Sequence, residues 1–280
     1  MDMQYYIVDA FTDQPFGGNP AGVVLLPRGS GFPDEGLMQR VAAELRYSET
    51  AFVQRNGDRE FTVRYFTPCS EVDLCGHATI AAFGLLWQLG KVGDELCLNH
   101  TLAGDLEVRV GKRVMMQMAA PHLVGTMPDV ERLCRIMLCP VPTMPVEVVS
   151  TGLPDIMLPV GSLEELESLN PDMGALSELS RELEMVGVHA FVMAGDGYTA
   201  HVRNFAPLYG VDEESATGTA NAALTHYLQR RGLVQHGSEC SFLQGEKMGR
   251  PSVVETELHS DGTIYVGGHY CIVAQGELLV

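Results

Sequence analysis

Glu49, Cys75, His77 and Glu214 are the side chains of this 280-residue chain whose types and settings can move a proton. Glu49 stands in Ser48-Glu49-Thr50, just before the apolar run Ala51-Phe52-Val53. A lone glutamate in such a turn ordinarily ends a strand in water. What sets it apart is a comparison the chain makes with itself. Ala51-Phe52-Val53 and, nine residues on, Val63-Arg64-Tyr65-Phe66-Thr67-Pro68 return as Ala190-Phe191-Val192 and Val202-Arg203-Asn204-Phe205-Ala206-Pro207, displaced by 139 residues. Seven of eighteen ungapped positions are identical, where ordinary residue frequencies give about one. The same displacement lays Glu49 over Val188. Side chains at equivalent strand positions face the same way, so a core-facing Val188 implies an inward Glu49. Burial disfavours the charged form and raises a carboxyl pKa, which prepares such a group for acid/base work near neutral pH.

Further on, the displacement becomes 142, and Cys75-Gly76-His77-Ala78 lies over Thr217-Gly218-Thr219-Ala220. Each copy feeds a Pro-ended strand through a loop into a glycine at a helix start. Helix starts carry unpaired N–H groups and a partial positive charge, and they hold carboxylates well. Two starts related by pseudo-symmetry are expected to meet at the domain interface in one cleft, with Gly76, His77, Gly218 and Thr219 lining an anion site. The plainer reading is that glycine lets a buried helix begin close to its neighbour. His77 has a plain reading too, a ring bonded to backbone, and Glu214 one as a partner of the helix dipole.

The elements that must position these groups can be read from periodicity. Tyr5 to Ala10 and Ala21 to Leu26 read as strands split by the turn Phe16-Gly17-Gly18-Asn19-Pro20. Asp34 to Arg46 reads as an amphipathic helix, and short strands follow at Thr50–Gln54 and Phe61–Phe66. Gly76 to Leu89 is a helix apolar on most sides, hence buried, and Gly218 to Arg231 is its copy. Several short strands follow each. The fold class is therefore α+β: two pseudo-symmetric domains, each with many short strands around one central helix. The expected division is 1–118 plus 268–280 for the first and 119–267 for the second, with the last strand crossing back. Gly161 to Arg181 is acidic and helix-like and reads as a surface insertion without a partner in the first half.

Composition bounds the function. Acidic residues outnumber basic ones 36 to 18, a net charge of −18, which argues against nucleic acid or an anionic membrane as partner. The start of the chain does not read as a signal peptide, and no apolar run approaches a membrane span. Seven cysteines with no export signal suit reduced thiols in the cytoplasm. No Cys-x-x-Cys or His-Glu-x-x-His motif is present, so no metal site is expected.

Gly18-Asn19-Pro20-Ala21-Gly22-Val23, Ser48-Glu49-Thr50-Ala51-Phe52, Asp73-Leu74-Cys75-Gly76-His77-Ala78-Thr79 and Glu214-Ser215-Ala216-Thr217-Gly218-Thr219-Ala220 together resemble the PhzF family, the phenazine-biosynthesis isomerases of diaminopimelate-epimerase-like fold. The resemblance implies two similar domains, each a barrel-like set of mostly antiparallel strands around a central helix, with the active site between them, a homodimer, and isomerisation of a small anionic metabolite without a cofactor. It implies that Glu49 is the acid/base residue on one face of a small unsaturated acid, assisted by His77 and by Glu214. Asn19, Ser48, Gly76, Gly218 and Thr219 are then substrate contacts. Glu214-Ser215 replaces the family's Asp-Pro pair. Two competing readings stand beside this one. A two-thiol amino-acid epimerase would use Cys75, but its second thiol would fall at Thr217, whose hydroxyl is far too weak an acid. A non-catalytic metabolite binder would gain little from a desolvated carboxylate at Glu49.

Overall fold

A computed structural model describes residues 2–280. The chain forms two compact units, Met1–Gln117 with Gly267–Val280, and Met118–Val266. The first unit opens with β1 (Asp2–Ala10), β2 (Asn19–Leu25), α1 (Glu35–Leu45), β3 (Thr50–Arg55), β4 (Glu60–Phe66), β5 (Glu71–Val72), α2 (Gly76–Gln88), β6 (Glu95–Thr101), β7 (Gly104–Val110) and β8 (Val114–Gln117). The second holds β9 (His122–Thr126), α3 (Val130–Met137), β10 (Glu147–Ser150), β11 (Pro154–Pro159), α4 (Leu163–Ser168), α5 (Met173–Leu183), β12 (Gly187–Met193), β13 (Ala200–Ala206), β14 (Val211–Glu214), α6 (Gly218–Arg230), β15 (Glu239–Gln244) and β16 (Ser252–Leu258), and the division at Gly267 falls within β17 (Ile264–Gly268). The chain ends in β18 (Tyr270–Leu279), which pairs antiparallel with β1 along its whole length.

The two units repeat one wiring. In the first, β1–β2 and β3–β4 are antiparallel while β2–β3 and β4–β6 are parallel. In the second, β10–β11 and β12–β13 are antiparallel while β11–β12 and β13–β15 are parallel. A parallel step needs a crossover, and α1 supplies it between β2 and β3. The segment between β11 and β12 is α4 and α5, so the expectation of a partnerless surface insertion was wrong. Leu166, Leu176 and Leu179 from these helices are fully inside the second unit's core. Their acidic outer faces hid a buried leucine stripe spaced as a helix requires.

Each unit wraps its strands around one helix. Every residue of α2 from His77 to Leu86 is buried, because Ala, Gly and Thr let strands approach it from several sides. Gly84 is the tightest point: a Cβ there would lie 2.3 Å from the ring of Tyr270. That ring, on β18, sends its hydroxyl to the carbonyl of Gly111 at 2.9 Å. The returning strand is thus wedged against the helix that carries His77. No helix among the described residues is long and apolar enough to cross a membrane.

Gly84→Ala should therefore cost about 1–3 kcal/mol, the usual penalty for overpacking a filled core. Urea unfolding of the full chain reads this directly, and parent-like stability would show that the Tyr270 ring can move aside.

Candidate active site

The residues before β3 are held by the sheet itself. The carbonyl of Glu49 accepts from the N–H of Gly22 at 3.1 Å, which extends the β2–β3 ladder to the turn. The side chain then points at the start of α2. Its Oε2 lies 3.2 Å from Nε2 of His77, with the imidazole 6% and the glutamate 19% exposed. Val188, its counterpart, is wholly buried. A sequence pair Ser48-Glu49 against Gly187-Val188 thus places a hydroxyl and a carboxylate where the other unit has none.

His77 is bonded on both sides. Nε2 is 3.2 Å from Oγ of Ser48 and Nδ1 is 3.4 Å from Sγ of Cys75. An imidazolium donates from both nitrogens, so this setting suits the charged ring. Burial pulls its pKa down, but the neighbouring Cys75 and Glu49 more than offset this, and it lies well above its ordinary value. Burial pushes the Glu49 carboxyl up, yet the close approach and charge of His77, with help from Ser48 and Cys75, carry it below its ordinary value. The expectation of a raised Glu49 pKa is corrected here. Desolvation acts as anticipated, and a cation that sequence alone could not place overrides it. Oε2 itself has no aligned hydrogen-bond donor, because the Nε2 proton points to Ser48. Burial and the Glu49 charge raise the Cys75 thiol to about 11, so it is a neutral thiol at physiological pH.

The first turn of α2 is anchored from below. Tyr65 donates to Oγ1 of Thr79 at 2.7 Å, Thr79 donates to the carbonyl of Cys75 at 2.7 Å, and Asn99 donates to the Tyr65 hydroxyl at 3.0 Å. Neither α2 nor α6 has a side-chain cap. Among the described residues the N–H groups of Gly76 and His77 meet no protein acceptor, nor do those of Gly218 and Thr219. Both helix starts therefore retain donors for an anion. Asn19 opens β2, buried and paired with Ala10.

In the second unit, Thr217 donates its hydroxyl to Oε2 of Glu214 at 2.7 Å. Gln244 braces the same turn, accepting from the Thr217 N–H at 3.1 Å and donating to the Glu214 carbonyl at 2.8 Å. Asn221 donates to the Thr217 carbonyl at 2.9 Å. The sequence reading did not foresee this brace. It missed Asp155 altogether, although an aspartate ahead of Ile156-Met157-Leu158 is a signal in itself.

Glu49, Cys75 and His77 each bring a donor atom within 4.8 Å of the other two, a spacing a cation can accept. With thiol and imidazole both protonated, a cation would have to displace two protons and break the ion pair.

The family model described as phenazine biosynthesis-like protein matches residues 8–276. The chain belongs to the PhzF family. An uncharacterised isomerase from Deinococcus radiodurans is 37% identical, covering 98% of this chain and 94% of its own. One from Escherichia coli K12 is 32% identical, covering 91% and 90%. A Bacillus anthracis phenazine biosynthesis protein of the PhzF family superposes with a TM-score of 0.88 at 26% identity, over the full length of both chains. A hydroxyproline epimerase from Agrobacterium vitis superposes at 0.62 with 12% identity, over 99% of this chain and 92% of that one. That last likeness shows the shared epimerase-like α+β fold. The PhzF-family chain is an enzyme of the isomerase class.

The ion pair has a sign that stability reports. Glu49, with a lowered pKa, contributes at pH above its unfolded value and loses this as pH falls through the folded value. His77, with a raised pKa, contributes below its unfolded value and loses this as pH rises through the folded one. The stability gap between parent and Glu49→Gln should thus be widest between the two unfolded values, about 1–3 kcal/mol, and should shrink outward as pH passes toward each folded value. Urea unfolding across pH measures it; a pH-independent gap would show that the two groups are not coupled.

Proposed function

We propose that the protein is a cofactor-independent isomerase that moves a proton within a small carboxylate-bearing substrate, with Glu49 as the single acid/base. The observation that carries this is the Glu49–His77 contact of 3.2 Å, in which the carboxylate remains partly exposed. A lowered pKa makes Glu49 a ready base at neutral pH. His77, kept charged, lowers the energy of the free carboxylate and strengthens Glu49 as the acid that gives the proton back. Because one group takes and returns the proton, it comes back to the face it left. Ser48 steadies the imidazolium, and the donors of Gly76 and His77 suit the substrate carboxylate. Gly218 and Thr219 offer the same chemistry in the second unit, and Asn19 and Glu214 complete the proposed set. The seven free cysteines fit a reducing compartment, and the proposal includes a cytoplasmic homodimer.

The two-thiol epimerase reading fares worse. Cys75 is a buried thiol with a pKa near 11, and Thr217 spends its hydroxyl on Glu214.

Glu49→Gln should lower solvent-deuterium incorporation by about 10²–10⁴-fold, the span that general acid/base groups supply. Cys75→Ala should keep most of it. NMR of a panel of small unsaturated and 2-amino carboxylic acids in heavy water reads both. Parent-like exchange in Glu49→Gln would overturn the assignment, and loss confined to Cys75→Ala would favour thiol chemistry.

A further inference from the structure

The second unit holds a buried histidine that nothing described so far uses. His189 on β12 is wholly buried, and Asn204 on β13, Asn221 on α6 and Gln244 at the end of β15 are 1% exposed or less. Contacts between these side chains run unbroken to Glu214, and backbone groups that act only one way fix their sense. The Thr217 N–H can only donate, so the Gln244 atom facing it at 3.1 Å is the oxygen. The Glu214 carbonyl can only accept, so the Gln244 atom facing it at 2.8 Å is the nitrogen. The Thr217 carbonyl orders Asn221 likewise, whose amide nitrogen donates there and to Oε1 of Gln244, both at 2.9 Å. The Asn221 oxygen is left to face Nε2 of His189 at 3.3 Å, so Nε2 carries a proton. Burial lowers the His189 pKa to about 4, so the ring is neutral, and Nδ1 accepts from Asn204 at 3.3 Å. At the other end Gln244 donates to Oγ1 of Thr217 at 3.1 Å, which sends the hydroxyl proton to Oε2 of Glu214 at 2.7 Å.

Behind Asn204 lies Asp155 on β11, 1% exposed, whose strand partners Val149 and Gly187 carry no charge. Asn204 bonds its carboxyl, and burial raises its pKa to about 8. The repeat lays Asn204 over Tyr65 and Asn221 over Thr79, so this chain of contacts starts where the first unit's anchor stands. That anchor ends on the Cys75 carbonyl; this one goes on, through Gln244, to a side-chain carboxyl group.

We propose that His189, Asn221, Gln244 and Thr217 form a one-way hydrogen-bond chain that ends on Glu214 and makes Gln244 its positioning residue. Oε2 of Glu214 is committed as an acceptor, so only Oε1 can take up or release a proton. Bonds pointed in one sense strengthen one another, and the Thr217 hydroxyl is denied to substrate. The role of Glu214 toward substrate rests on the isomerase reading; the sense of the chain does not.

Nitrogen-15 NMR of labelled histidines in the full-length protein should show His189 neutral at neutral pH, with its proton on Nε2. An Nδ1–H tautomer or an imidazolium overturns the chain. Its hold on Glu214 is read by carbon-13 NMR of the side-chain carboxyls, with Glu214→Gln supplying the assignment. Thr217→Val, which removes the donor, should raise the Glu214 midpoint by about one unit, and Thr217→Ser should restore it. A midpoint unmoved by Thr217→Val overturns the chain's hold on Glu214. Gln244→Met frees the hydroxyl to turn, so the midpoint should rise by part of that step; a parent-like midpoint overturns the role of Gln244. Should that variant fail to fold, the Thr217 pair and the His189 tautomer still decide. Neither readout needs substrate, so absence of deuterium exchange in the parent refutes the isomerase reading alone.

Discussion

The candidate site of the first unit is built on one charge pair, the Glu49 carboxylate against the His77 imidazolium, assembled at the mouth of a helix with no side-chain cap. Each member is costly to bury alone. Together, with Ser48 and Cys75 closing the ring nitrogens, they can be almost fully enclosed and still keep an oxygen free of aligned donors. The surroundings follow from that need. The glycine at the helix start leaves its N–H groups open, the buried Tyr65–Thr79–Asn99 chain keeps the first turn from shifting, and the alanine-rich helix admits strands close enough to exclude water.

Duplication shows what such a site demands, because the second unit keeps the scaffold and changes the contents. Its helix start is braced by neutral amides and by a hydroxyl–carboxylate contact, with Gln244 and Asn221 in place of an ion pair. Val188 fills with carbon the volume that Glu49 fills with charge. Two sister frames have thus arrived at two solutions, one built on an ion pair and one on neutral amides and a hydroxyl–carboxylate contact.

Much of this was legible before any coordinates. The repeat of Ala-Phe-Val and Val-Arg-x-Phe-x-Pro announced two similar units, and the offset singled out Glu49 because its twin is valine. The buried central helices were readable from their small apolar residues. The acidic segment before β12 was misread because its helices expose glutamates at almost every turn, while its partner α1 shares topology and no residues with it. The direction of the Glu49 pKa was also misread. Desolvation can be inferred from a strand pattern, but a histidine 28 residues further on contributes only through three-dimensional contact. Asp155 escaped for the same reason: nothing local tells that its neighbours across two strands hold no positive charge.

The charge state of the His77 ring tests the account most directly. Nitrogen-15 NMR of selectively labelled histidines in the full-length protein distinguishes an imidazolium from either neutral tautomer. The account predicts that both His77 nitrogens stay protonated at neutral pH and past the ordinary histidine range. A neutral ring of a single tautomer at neutral pH would contradict it.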